Sequence, residues 1–415
     1  MITASSESGG SRRTAWLVVG VLWVIALLNY LDRLMITTMR DAVKADVAMT
    51  DAQFGLLTSV FLWSYGVFSP FGGYLADRFG KSRIIIGSLF IWSAVTWATG
   101  HMRSFEGLLV ARAIMGLSEA CYIPAALALI ADYHRGPTRS LATGLHMSGI
   151  YTGAALGGVG GHIAEHYSWR SGFTWFGVVG VVYAVVVFFV LRDAPPVVSD
   201  QNKAAIAEKP RASLGAALGA LLRQPAFVLL IASFALVSLA NWGIYGWLPT
   251  YLREHFKLGL GEAGLAATAY VQIASFVGVV VGGIWADRWS RTQPRARLWV
   301  PAIGSCVVGP CLFFGISADL LTVAMAGLIV YGLGRGFYDA NLMPIVRSIA
   351  DERYSATGYG LLNFIGCMVG GAMVYVGGWM KDAQVDLALV FQLSAVGLLL
   401  TGILLFCLKP RSSAG

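Results

Sequence analysis

The chain has 415 residues, of which 57% are hydrophobic and 13% charged, with 50 glycines and a formal net charge of +8. Soluble domains carry about 25% charged residues, so this composition, with a mean hydropathy of +0.68, excludes an ordinary soluble globular protein. It describes an all-α integral membrane chain.

Windows of about 20 apolar residues predict twelve transmembrane helices near 14–39, 52–76, 83–101, 106–131, 139–164, 169–191, 225–252, 262–286, 297–317, 320–348, 356–379 and 385–408. Residues 1–13 are a polar tail. The first helix is too long for a removable signal peptide and lacks a small-residue cleavage site, so it is expected to stay in the mature protein. With that tail inside, about 20 Lys and Arg fall in inner segments and about 7 in outer ones, which places both termini, including the tail 409–415, in the cytoplasm. The same asymmetry accounts for the basic pI of about 9.3 without a nucleic-acid partner. Residues 192–224, with Pro195, Pro196 and Pro210 among scattered charges, read as a cytoplasmic linker between two six-helix halves, 14–191 and 225–408. Within it, Ala212 to Leu222 is compatible with a short surface helix. The five cysteines, Cys121, Cys306, Cys311, Cys367 and Cys407, fall in predicted helices and read as small apolar packing residues.

Charges inside the helices are the first functional signal. "LLNYLDRLMITTMR" (27–40) places Asp32 and Arg33 in the first helix, where a charge costs at least a few kcal/mol and usually faces a cavity. The fourth helix adds Arg112 and Glu119. At 1.5 Å per residue, Asp32 lies roughly 27 Å from the inner end of its helix, Arg112 roughly 9 Å and Glu119 roughly 20 Å from the outer end of theirs. Asn29, Arg33 and Thr37 share one helix face, and Arg112, Gly116 and Glu119 share another, so both faces are expected to line one cavity. The two acids and two arginines sum to zero, tolerable only if they pair or stay hydrated. An incoming carboxylate makes the group net negative, and protonation of one acid restores neutrality. Glu119, deepest and without an adjacent cation, is the expected proton carrier, with Asp32 as a second or gating acid. Arg33, followed by Arg112, suits the carboxylate because a guanidinium fork matches it in bidentate geometry.

The halves repeat each other. "GGYLADRFGKSR" (72–83) and "GGIWADRWSRT" (282–292) share G-G-x-x-A-D-R; Asn29-Tyr30 is echoed by Asn241-Trp242, and "IAD" at 130–132 by "IAD" at 349–351. Such repeats build secondary transporters, with the site near the midplane between halves. The first of these loops resembles the loop signature of the major facilitator superfamily, and "RAIMGLSEA" (112–120) resembles its fourth-helix signature. "LNYLDR" with R-x-x-x-G-x-x-E-A is similar to the anion:cation symporter branch, which implies uptake of sugar acids and other organic anions with protons and agrees with the roles above for Asp32, Arg33, Arg112 and Glu119. Spinster-like lipid transporters share a similar pair, and "EACYIPAALALIAD" resembles them. Their alternative cargo is a lysophospholipid or another amphipathic anionic lipid.

The resemblance also implies a cytoplasmic latch, in which Asp77 with Arg78 and Arg83 grips the opposite half and breaks as the halves rock. Asp287 and Arg288 repeat part of it, but Ser290 stands where the first copy has a glycine, so a different turn is expected. Asp77 also suits a helix-terminus contact. In the tenth helix Arg335 and Asp339 stand at i, i+4, the spacing of an intrahelical ion pair, and are candidates for a substrate contact or gate. Polar and aromatic residues that can orient a hydroxylated ligand are Asn29, Tyr30, Tyr65, Tyr122, Tyr151, Asn241, Tyr245, Gln272, Asn341 and Asn363. His146 reads as a packed, hydrogen-bonded histidine. The small-residue run 148–161 permits close helix approach and resembles the superfamily's antiporter motif except that Ala154 replaces its proline, which counts against drug/proton antiport. No nucleotide-binding loop, metal-ligand spacing or Ser-His-Asp arrangement argues for an enzyme or a cofactor, and the two-half repeat with balanced central charges argues against a channel or receptor. The expectation is a monomeric proton-coupled symporter of a small organic anion, multi-pass in a bacterial-type cytoplasmic (inner) membrane.

Overall fold

The computed structural model describes residues 9–134, 138–195, 214–350 and 354–408. Among them the chain is helical and contains no strand. In the first half run α1 (Gly9–Thr38), α2 (Arg40–Asp46), α3 (Asp51–Phe79), α4 (Lys81–Thr99), α5 (Phe105–Glu119), α6 (Tyr122–Tyr133), α7 (Arg139–Leu156), α8 (Val159–His166) and α9 (Trp169–Val190). After them come α10 (Leu214–Leu222), α11 (Pro225–Phe256), α12 (Leu260–Trp289), α13 (Ala296–Ile316), α14 (Leu321–Ile349), α15 (Ser355–Asp382) and α16 (Ala388–Cys407). Helix α10 is the described part of the short segment expected at 212–222.

Local chemistry sets the ends. Thr50 and Gln53 form a capping box at the start of α3, Ser104 and Ser168 accept backbone N–H groups at the starts of α5 and α9, and Pro225 opens α11, where its missing donor costs nothing. Gly80 joins α3 to α4 at φ 94°, a left-handed turn that glycine adopts without steric penalty. The second copy of the motif turns differently, as Ser290 predicts, with φ −65°. The carboxylate at the α4 N-terminus is Asp193 rather than Asp77: it accepts from the Ser82 N–H at 2.8 Å and the Ser82 hydroxyl at 2.7 Å.

Among the described residues, eleven helices, α5 and α6 together counting as one, are long and apolar enough to cross a membrane. The helix expected at 139–164 is not among them; it is two pieces, α7 and α8, separated at Gly157-Gly158. A Cβ on Gly158 would lie 2.7 Å from the Gly264 carbonyl of α12, so the break falls within the close crossing of the two backbones. The helix expected at 106–131 is also interrupted, directly after Glu119. Pro124 has no N–H for the Ala120 carbonyl, and side-chain-free Gly72 lets α3 close on that carbonyl, 2.7 Å from where a Cβ would stand.

Contacts between the first and second halves follow two crossings, α3 with α15 and α7–α8 with α12, which are counterparts under the sequence repeat; α1 also meets α11. Both crossings are tightest far from the N-terminal face. Along α3 they run from Asp51 against Gly378, through Gly55 against Val374, to Gly66 against Cys367. Along α7–α8 they run from Gly161 against Leu260 to Tyr151 against Phe276. Beyond them Tyr359 of α15 is 41% exposed. The face opposite the N-terminus is further tied by ions. Arg40 binds Asp41 and Asp51 and lies 3.5 Å from Glu254, while Arg253 binds Asp41. Lys44 reaches Asp51 at 2.7 Å and Lys381 reaches Glu254 at 2.6 Å. Asp382 accepts the Asp51 and Ala52 N–H groups, both at 2.8 Å, at the start of α3. Beside this clasp lies a cavity of about 370 Å³ lined by Tyr251, His255 and Asp386 among others. The molecule is therefore closed on that face and splayed toward the N-terminal one.

Close approach of α1 and α7 carries a specific expectation. A Cβ on Gly153 would fall 2.1 Å from the Leu27 carbonyl, whereas one on Gly144 meets nothing within 4 Å. Gly153→Ala should cost about 1–3 kcal/mol by overpacking and lower the melting temperature of the detergent-solubilised protein, while Gly144→Ala should not. Equal melting temperatures would refute this packing.

Candidate functional site

Arg33 lies at the centre of the first half. Its Nη2 donates to Glu119 Oε2 at 2.8 Å and its Nε to the same oxygen at 3.3 Å. Nη2 also reaches Asn29 Oδ1, one turn back on α1, at 3.3 Å. Three ring faces enclose the guanidinium, with centroids 4.6 Å (Tyr30), 4.8 Å (Phe61) and 4.8 Å (Tyr65) away. Phe61 and Tyr65 stand four residues apart on α3, which stacks them side by side. Such an aromatic face attracts a desolvated cation. Arg33 is 3% exposed and Glu119 fully buried, so the side chain expected to clamp substrate is already clamped by the expected proton carrier.

The other two charges are not part of that pair. Asp32 accepts from Thr96 of α4 at 3.3 Å through Oδ2, and its Oδ1 finds no donor among the described residues. Glu119 Oε1 and Asn29 Nδ2 are likewise buried without a partner. Arg112 makes no ion pair among the described residues; it donates to the Leu57 and Arg33 carbonyls, each at 3.4 Å, and lies over Phe61 at 4.8 Å. Its burial is complete, and in this structure it ties α5 to α1 and α3. The four charges share a neighbourhood, as their helical phases predict, but one pair carries the geometry.

In the second half the expected i, i+4 pair exists, with Arg335 Nε 3.5 Å from Asp339 Oδ2. Arg335 also binds the Tyr245 hydroxyl, reaches Gln272 Oε1 at 3.5 Å, and lies over the Tyr245 ring at 5.0 Å. Gln272 itself donates to Tyr245. From the first half, Tyr151 donates to Asp339 at 3.0 Å. The side chains of Arg335 and Asp339 are 13% and 34% exposed, although both lie mid-helix where the halves meet. Tyr30 and Trp242 pack with Leu34, Ala154 and Tyr245, so a short aromatic bridge separates the Arg33 cage from the Arg335 cluster.

Other expected site residues fall elsewhere. Tyr122 is buried within the first half, donates to the Leu22 carbonyl at 2.7 Å and pairs with His146 Nε2 at 2.9 Å; His146 is packed as expected, but its Nδ1 is buried with no partner among the described residues. Asn341 donates to the Phe337 carbonyl of its own helix at 2.9 Å and does not reach the Arg335 cluster. Asn241 accepts from Tyr331 at 3.2 Å beside that cluster. Asn363 is half-buried on α15 with no polar partner among the described residues. Asp77, Arg78 and Arg83 are exposed on the splayed face and make no ion pair to the second half among the described residues; Arg78 donates to Tyr74 on its own helix. Asp287 pairs with Arg297 at 2.9 Å within the second half, and Arg288 is exposed. Phe61 and Thr96 were not anticipated, because an aromatic or a threonine in an apolar helix gives no signal on its own. The clasp of Arg40, Asp41, Asp51, Arg253, Glu254, Lys381 and Asp382 was also missed; its charges sit at helix ends, where solvated charge is ordinary.

A family model described as Major Facilitator Superfamily matches residues 22–375. An MFS-type efflux pump of Mycolicibacterium smegmatis is 28% identical over 92% of this chain and 88% of its own length. Protein spinster homolog 1 of Bos taurus is 29% identical over 78% of this chain, a match that spans 64% of that longer protein. A probable sulfoacetate transporter, SauU, of Cupriavidus necator is 27% identical over 75% of this chain and 72% of its length. Among solved structures, a bacterial homologue of the human lysosomal transporter Spinster, inward-facing and unoccupied, superposes with a TM-score of 0.76 at 21% identity over 95% of each chain.

The buried pair makes a stability prediction. Removing one partner of a buried ion pair strands the other and costs about 3–5 kcal/mol, whereas removing both is milder. Arg33→Gln and Glu119→Gln should each lower the melting temperature, and the double variant should be less destabilised than the sum, with a coupling of about 0.5–3 kcal/mol. Additive losses would show that the two side chains do not act as a pair.

Proposed function

The chain belongs to the Major Facilitator Superfamily, and on that premise we propose that it moves a small organic anion together with protons by alternating access. The halves 14–191 and 225–408 rock about the linker 192–224, the interrupted α7–α8 is the twelfth crossing, both termini are cytoplasmic, and the unit is a monomer in a bacterial-type inner membrane.

The observation that carries this reading is that Arg33 has one carboxylate partner, Glu119, in a cage that excludes water. A proton on Glu119 removes the counter-charge of Arg33 and leaves its fork free for a substrate carboxylate; loss of that proton restores the ion pair and expels the anion. Binding of proton and anion at the two partners is then mutually supportive. Asp32, with one oxygen undonated, is the second proton site. Arg335, accessible from the splayed face and steadied by Tyr245 and Gln272, is the first cation an entering carboxylate meets. Tyr151 bridges from the opposite half to Asp339, so anion arrival at Arg335 competes with an interhalf contact and couples occupancy to rocking. Asp77, Arg78 and Arg83, with Asp287 and Arg288, close the N-terminal face when the clasp around Arg40 opens.

Uptake into proteoliposomes tests the reading with sulfoacetate, glucuronate and lysophosphatidylethanolamine as probes. An inward proton gradient should drive accumulation of a small carboxylate or sulfonate-carboxylate; accumulation of the lysolipid alone would transfer the same acids to the Spinster-like alternative. Glu119→Gln should abolish gradient-driven accumulation while preserving counterflow exchange. Arg335→Gln should weaken binding on the order of 30-fold, the loss of about 2 kcal/mol from a charge-assisted hydrogen bond. Gradient-driven accumulation intact in Glu119→Gln would overturn the coupling assignment.

A further inference from the structure

The N-terminal face carries a second feature that the transport site does not use. Trp285 and Trp289 stand one turn apart at the end of α12 with their rings parallel within 6° and centroids 6.0 Å apart, and Trp299 of α13 closes on Trp289 at 5.6 Å. None of the three indole N–H groups finds an acceptor among the described residues. Indoles gather where membrane meets water because they present an apolar ring and one polar N–H.

The charge around them is one-sided. Between 287 and 297 the chain has four arginines and one aspartate, and that aspartate, Asp287, is taken by Arg297. Arg288, Arg291 and Arg295 are exposed and make no ion pair among the described residues. Along α12 an apolar strip of exposed Val277, Val281 and Ile284 leads from the indoles toward the middle of the bilayer. A protein surface that offers free guanidinium groups, free indole donors and a contiguous apolar strip matches a molecule with an anionic head and a hydrocarbon tail lying in the same leaflet.

We propose that the α12–α13 corner, formed by Trp285, Trp289 and Trp299 with Arg291 and Arg295, is a binding site for an anionic phospholipid of the surrounding membrane. The guanidinium groups take the phosphate in the forked geometry that suits it, the indole N–H groups donate to head-group oxygens, and one acyl chain lies along the Val277–Ile284 strip. Basic clusters beside a membrane span attract anionic lipid, so the site discriminates by head-group charge and not by tail. It is separate from the central cavity and does not depend on what the protein carries.

The test uses the full chain in nanodiscs of phosphatidylcholine that contain a fixed fraction of either acyl-brominated phosphatidylglycerol or acyl-brominated phosphatidylcholine. Bromine quenches an indole that its acyl chain touches. Brominated phosphatidylglycerol should quench the parent more than brominated phosphatidylcholine does. That excess should be lost both in Arg291→Gln/Arg295→Gln and in Trp285→Phe/Trp289→Phe/Trp299→Phe, and inorganic phosphate should not compete it away. Equal quenching by the two lipids in the parent, or an excess that survives either variant, would overturn the proposal. Competition by inorganic phosphate would show a site for the free anion and also overturn it.

Discussion

A guanidinium buried among aromatic rings, with a single carboxylate to neutralise it, is the constraint around which the first half is built. Neither Arg33 nor Glu119 can be taken from water alone at tolerable cost. Each is viable only because the other is placed on a neighbouring helix at the same depth. Tyr30, Phe61 and Tyr65 supply the remaining stabilisation through their ring faces, and they keep water from screening the pair. A proton or an anion can change the balance here by a large amount because the environment is dry. The same pair in water would contribute little.

The Arg335 cluster has the opposite character. It is partly open, it draws partners from α7, α11 and α12, and one of them, Tyr151, comes from the other half. The closed cage holds charge, the Arg335 cluster is partly exposed, and the Tyr30–Trp242–Tyr245 bridge places the two within one packed unit. Conformational asymmetry follows from the same distribution of contacts. Glycines at 55, 158, 161 and 378 let the interhalf crossings close to backbone distance toward the face opposite the N-terminus, and the Arg40–Asp51–Glu254 clasp ties that face electrostatically. The motif loops on the other face make no ion pair between the halves among the described residues.

Much of this was legible from residue type and spacing. Asp32, Arg33, Arg112 and Glu119 announce themselves as charges in hydrocarbon, and their helical phases put them in one neighbourhood. Arg335 and Asp339 pair at the spacing that predicts it, and Ser290 for glycine foretold the different turn of the second motif copy. What spacing could not specify was which cation meets which anion. Arg112 and Arg33 are equivalent by depth, and only the packing of α5 against α3, set by Gly116 on Phe61 and Ser64, turns Arg112 toward carbonyls. Helix breaks were hidden for a related reason: Gly157-Gly158 and Pro124 sit inside apolar runs that read as continuous, and their effect depends on a neighbouring backbone coming close. Spacing also could not show that Tyr122 and Asn341 donate to backbone carbonyls, because a polar group in a membrane helix satisfies itself there as readily as on a ligand.

The central claim is that a proton on Glu119 and an anion on Arg33 accompany one another. Proton uptake on ligand binding measures this most directly: sulfoacetate or glucuronate, whichever stabilises the purified protein, is added in weakly buffered detergent solution with a pH indicator. The account predicts net uptake of protons by the parent protein on binding and none by Glu119→Gln at saturating ligand. Binding without proton uptake in the parent, or unchanged uptake in Glu119→Gln, would contradict it.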